Sequence, residues 1–139
     1  MVKAIKKVKK IVVGIISRIR KDRKEFLLMS SVVDFGKYTG FFYPPGGHIV
    51  DGKTEKSTLA KKFWEELGIK VKPLKRLATT PGDVKDQVTY WWECQSNLKG
   101  LTINKEKARK IIWMSKKEIL EGEKIWPATK KFFKKFVIE

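Results

Sequence analysis

The sequence predicts a mixed α/β or α+β sandwich, built from several short strands, one strong amphipathic helix in the middle of the chain and a second helix near its end. Three observations carry this. Apolar residues recur at helical spacing over residues 54–67, whereas the segments before and after are β-branched or aromatic runs of strand length. Glycine and proline fall at the junctions between these segments. Aromatic residues gather again behind Pro127, a good first residue for a closing helix.

Residues 10–19 are rich in valine and isoleucine and read as the first strand. Residues 25–31 read as its neighbour, across the charged turn 20–24. Residues 34–40 are turn-like, 41–43 form a short aromatic strand, and Pro44-Pro45-Gly46-Gly47 breaks it. The helix at 54–67 places Leu59, Phe63 and Leu67 on one stripe, with Ala60 and Trp64 widening it, and Gly68 stops it. Three strands are expected next, at 71–80, 87–96 and 108–114. Turns at 81–83 and 97–100 separate them. Ser115 and Glu118 have the spacing of a capping box that opens a short helix. The last helix carries Phe132, Phe133 and Phe136.

A chain of 139 residues, 42% hydrophobic, is long enough to bury one core, so a single domain over 1–139 is expected. The lone Cys94 excludes an intrachain disulfide, suits a reducing compartment and reads as a small buried hydrophobe. The start, MVKAIKKVKK followed by IVVGII, has the order of a secretory leader. Its apolar run ends at Ser17, too short for a leader or a membrane span, so a soluble, cytoplasmic protein is expected. The net charge of +17 is far from balance. Such a field attracts polyanions, RNA among them, although lysines spread along the chain also describe a merely solvated surface.

The chemistry concentrates between Pro44 and Ile69, PPGGHIVDGKTEKSTLAKKFWEELGI. A glycine pair lets backbone approach phosphate closely, and a helix that follows brings its partly positive end near. Gly46, Gly47, His48 and Lys62 are therefore the candidate phosphate-binding residues. Positions 62, 65 and 66 share a helix arc of roughly 100°, away from the apolar stripe. Carboxylates on that arc would hold hard divalent cations through oxygen.

This segment resembles the box of the Nudix hydrolases, G-x5-E-x7-R-E-U-x-E-E-x-G-U with U a bulky apolar residue. Gly47, Phe63, Glu65, Glu66, Gly68 and Ile69 fall in place without gaps. The flanking strands and the WMSKKEIL passage fit the family too, so the likeness covers essentially the whole chain. It implies a mixed sheet with the box helix on one side and the C-terminal helix on the other. It also implies hydrolysis of nucleoside diphosphates linked to another group, with Mg2+ or Mn2+ on Glu65 and Glu66, and it allows a homodimer. Glu93 and Glu106 are the candidate carboxylates outside the box that would complete the catalytic set with Glu65 and Glu66; Asp83 and Asp86 are weaker ones. The chain departs from the pattern at three positions: Lys53 and Lys62 stand where the family has glutamate, and Lys61 where it has arginine. An ammonium at 62 lies one helical turn from Glu66 and disfavours a divalent cation there. Two readings therefore stand: a hydrolase of reduced activity, and a silent fold that binds a nucleotide, another phosphorylated ligand or RNA. Trp91, Trp92, Phe41, Phe42 and Tyr43 are further candidates, as a base-stacking platform.

Overall fold

A computed structural model describes residues 8–138; the cationic run at 1–7 lies outside the described residues. Seven strands and three helices follow in chain order: β1 (Lys9–Ile15), β2 (Ser17–Arg20), β3 (Arg23–Ser31), β4 (Gly46–His48), α1 (Glu55–Leu67), β5 (Lys72–Pro81), β6 (Gln87–Gln95), β7 (Ala108–Met114), α2 (Lys116–Glu121) and α3 (Pro127–Phe136). The strands form two sheets. One is four-stranded, ordered β4-β1-β6-β5, with β1 and β6 parallel; the other is three-stranded, ordered β2-β3-β7.

The first expected strand is thus two. β1 joins the larger sheet and β2 the smaller, and the break falls at the buried Ile16, whose carbonyl accepts a hydrogen bond from Leu27 N. The turn to β3 is the two-residue Lys21-Asp22, both at positive φ, a twist that suits a tight hairpin. Residues 41–43 make only isolated bridges, from Phe42 to Ile125 and from Tyr43 to Met29. Gly46–His48, expected to break structure, is instead a strand on the edge of β1. The other strands and both later helices lie within a residue or two of expectation.

Side chains alternate along the strands and so feed two cores. Val12, Leu27 and Trp92 point toward α1, where they meet Leu59, Phe63 and Leu67. Val13, Phe26, Leu28 and Trp91 point the other way, against Ile119 of α2 and Phe132 and Phe133 of α3. Helix, sheet and helix therefore form three layers. The α1 stripe is narrower than expected: Ala60 is exposed and Trp64 is 58% exposed. Each follows a core residue by about 100° of helical turn, which carries it off the buried face. Cys94 is buried as expected, and burial pushes its thiol up to about 12.

Candidate functional site

The glycine pair of the box is needed for two different reasons. A Cβ on Gly46 would lie 2.0 Å from the Val12 carbonyl oxygen and 2.7 Å from Val13 Cα, so the edge strand presses on β1 as only glycine allows. A Cβ on Gly47 would meet a side chain instead, the Lys62 Cε at 2.7 Å. Lys62 therefore lies across the face of Gly47. The helix that carries it is held at both ends. Thr54 and Ser57 exchange capping hydrogen bonds of 3.0 and 3.1 Å at its start, and Gly68, in the left-handed region at φ +67°, ends it.

Between this helix, β4 and the start of α3 opens a cleft of about 500 Å³, a size suited to a small ligand. Gly46, Gly47, His48 and Lys62 all line it, as do Lys53, Lys61 and Glu66. Its aromatic lining includes Phe35, Tyr43, Trp91 and Trp126. Trp126 packs edge-on against Phe35 and Tyr43, at centroid distances of 5.4 and 6.5 Å, and its buried indole N–H has no partner. Of the aromatic candidates read from the sequence, Tyr43 and Trp91 reach the cleft; Trp92, Phe41 and Phe42 do not line it. Trp91 stacks on Phe132 at 4.2 Å and donates to Thr80 Oγ1, so core packing holds it. Trp126 was missed in the sequence, where its one signal is its place directly before Pro127, at the N-cap of α3.

The four candidate carboxylates are not brought together. Glu66 faces the cleft with Oε2 buried and unpartnered. Glu65, its neighbour in sequence, does not line the cleft and pairs with Lys61 at 3.8 Å and Lys107 at 3.4 Å. Glu93 lies on β6 opposite Lys75, and Glu106 is exposed in the loop before β7; neither lines the cleft. Asp83 does line it, and caps α3 by accepting from Ala128 N at 3.0 and 3.1 Å.

The electrostatics follow from burial. Desolvation pushes Glu66 up to about 7, although Lys62 and Lys107 pull it down, so loss of water outweighs the attraction of two cations. Tyr43 is pushed up to about 12, by burial first and by the Glu66 charge second. His48 is held below its ordinary value by burial and then by Lys9 and Lys62, which favours the neutral ring at pH 7. Lys62 forms no ion pair within 4.0 Å of Glu65 or Glu66, although it is near enough to act on Glu66 through space.

As a donor set for Mg2+ or Mn2+ this is poor. Such ions take about six oxygen ligands, commonly with carboxylates among them. Among the described residues no group of three or more His, Cys, Asp or Glu side chains is gathered to hold a metal. Glu65 is engaged by two lysines, and Glu66 has an ammonium rather than a carboxylate one helical turn away. The residues present do not fit the ions that the family resemblance implied.

Comparison with known proteins agrees with the fold and the box. The family model described as NUDIX domain matches residues 8–136, and the chain belongs to that family. Among solved structures it is similar to a MutT protein from Methanosarcina mazei Go1, at 23% identity and a TM-score of 0.79 over 96% of each chain. It is also similar to a MutT NUDIX hydrolase from Burkholderia pseudomallei, at 14% identity and a TM-score of 0.75, over 94% of this chain and 98% of that one. A C. elegans Ap4A hydrolase binary complex aligns at 17% identity and a TM-score of 0.73, over 93% and 95%. No curated protein matches by sequence. The expected α+β Nudix fold, with α1 and α3 on opposite sides of a mixed sheet, is the one observed. Among the described residues no helix is long and apolar enough to cross a membrane.

Proposed function

We propose that the cleft binds a nucleoside diphosphate derivative, with lysine ammonium groups standing where the family places divalent cations, and that hydrolysis of its diphosphate is slow. The observation that carries this is Lys62, laid across Gly47 and beside the half-buried Glu66. Lys53 adds a cation to the same wall, and Lys61 lines it with its ammonium paired to Glu65. At an effective dielectric of about 20, two unit charges 4 Å apart interact by roughly 4 kcal/mol, enough for a lysine to hold a phosphate oxygen. A lysine does not activate water as a bound metal does, so affinity is retained while the chemical step is not. The aromatic wall of Phe35, Tyr43 and Trp126 suits a planar base. Similar structures carry names that point to the same ligand class: an Ap4A hydrolase, a UDP-X diphosphatase and an ADP-ribose pyrophosphatase.

The test compares the natural chain with Lys62→Glu on a panel of nucleoside diphosphate derivatives. Binding is read by calorimetry in EDTA, and phosphate release with Mg2+ or Mn2+. The natural chain should bind in EDTA, more weakly as salt is added, with little turnover. Lys62→Glu restores three acids on one helix arc; it should lose about tenfold or more of the EDTA-resistant affinity and gain metal-dependent turnover. Fast turnover by the natural chain, abolished by Glu66→Gln, would overturn the proposal and send the search for a completing carboxylate to Glu93 and Glu106.

A further inference from the structure

At the C-terminal end of α1, on a different face from the cleft, which follows the helix from Ser57 to Glu66, lies a second depression that shares no residue with it. It is an open groove lined by Trp64, Lys70, Lys72, Gln95 and Lys99, among others, and no carboxylate lines it. We infer that this groove binds single-stranded nucleic acid, with a base stacked on Trp64 and the sugar-phosphate chain running along Lys70, Lys72 and Lys99.

Trp64 is the first reason. A surface indole 58% open to water, on a helix whose neighbouring apolar residues Phe63 and Leu67 are fully buried, presents a flat π face that the fold does not use. Stacking on such a face is available to any unpaired base. The lysines are the second reason. Lys70, Lys72 and Lys99 are all exposed, on a chain with 32 basic and 15 acidic side chains. The nearest acid in sequence, Glu65, is occupied by Lys61 and Lys107.

The third reason is the state of the helix end. A helix C-terminus carries partial negative charge on its free carbonyls, which would repel phosphate. Here all four of the last carbonyls are taken. Gly68 N donates to Trp64 O at 3.1 Å, Asn104 Nδ2 to Glu65 O at 3.1 Å, Asn104 N to Glu66 O at 2.9 Å, and Thr102 N to Leu67 O at 3.0 Å. With those groups covered, the lysines set the local potential. The facing wall is also held in shape: Leu98 N donates to Ser96 Oγ and Lys99 N to Asn97 Oδ1, and Gly100 packs against Gly68 so closely that a Cβ would lie 3.2 Å from the Gly68 oxygen. An acidic protein would use the lysines but gain nothing specific from an exposed indole. A duplex would hide its base faces from it. Single strands use both features.

The test measures fluorescence anisotropy of labelled oligo-uridylate and oligo-thymidylate, beside a duplex and heparin of similar charge. Three variants are compared: Trp64→Ala; the triple variant Lys70→Glu, Lys72→Glu, Lys99→Glu; and a control, Lys117→Glu, Lys134→Glu, Lys135→Glu, which changes the net charge equally at exposed sites on α2 and α3. Trp64→Ala should weaken single-strand binding by about 5- to 150-fold, the range for one stacked base, with the salt dependence unchanged. It should leave duplex and heparin binding, and nucleotide binding in the cleft, as they were. Trp64→Phe should retain part of the affinity. The groove triple should reduce the slope of log K against log salt by about 2, as expected for three single-strand phosphates, and the control triple by much less. The inference fails if Trp64→Ala has no effect, if the two triples act alike, or if duplex or heparin responds to Trp64→Ala as the single strands do. It fails equally if Trp64→Ala instead dissolves a dimer of the chain, which would make the groove an interface between copies.

Discussion

The cleft follows one face of α1 and the groove lies at the end of the same helix; both are lysine-lined, yet the same ammonium groups face different surroundings. In the cleft, burial raises the cost of charge: Glu66 is pushed up to about 7, His48 is held below its ordinary value, and Lys62 lies over Gly47 within the field of a half-buried acid. In the groove, Lys70, Lys72 and Lys99 are exposed and solvated and have no acid beside them. Charge in a partly dry site is specific because few arrangements satisfy it. Charge in water is screened within about 10 Å and acts mainly as a general attraction. A lysine-rich chain can thus hold one selective anion site and one tolerant one, and burial separates them.

The largest expected effect tests what the two regions share. Phe63 is fully buried beneath α1 and packs so tightly on β1 that a Cβ on Gly14 would lie 2.7 Å from its ring. Phe63→Ala should cost about 3–5 kcal/mol in urea unfolding and weaken both sites together. Loss at one site alone would show that α1 does not carry them as a single rigid body.

A smaller pair of changes separates the regions. Gly46→Ala drives a Cβ into the backbone of β1 and should cost about 1–3 kcal/mol. Gly47→Ala meets only the flexible end of Lys62, and should cost less than about 1 kcal/mol while weakening ligand binding in the cleft. Oligonucleotide binding in the groove should survive Gly47→Ala. If the two alanines destabilise equally, the distinction between backbone and side-chain contact is wrong.

The last effect is one of slope rather than of size, a pH dependence. Folded Glu66 is raised from 4.5 to about 7, so between those values the native state holds a proton that the unfolded state has released. Its contribution to stability is therefore present at low pH and lost as pH rises toward 7. Glu66→Gln should remove that slope: urea midpoints of the variant and the natural chain should lie close together near pH 5 and diverge in the variant's favour near pH 8. A constant gap across that range would place Glu66 in water rather than in the cleft wall.

The sequence by itself determined the family and most of the run of elements, because these depend on local periodicity, on turn chemistry and on the spacing of the box, and the family resemblance in turn implied the layers. Leu59, Phe63 and Leu67, the Thr54 start and the Gly68 stop define α1 without outside help, and six aligned positions of the box identify the family. It also showed Lys53, Lys61 and Lys62 to be departures from the pattern. Only the tertiary structure decided which of the box residues share a space. Adjacent glutamates diverge, Glu65 to Lys61 and Lys107 and Glu66 into the cleft, because successive helix positions are turned about 100° apart and the β7 approach loop covers one of them. Trp126 joins the cleft from the far end of the chain, and Trp64 is left outside the core by a fraction of a helical turn. Those are relations between distant elements and between neighbouring faces, and neither is written in the spacing of any one segment.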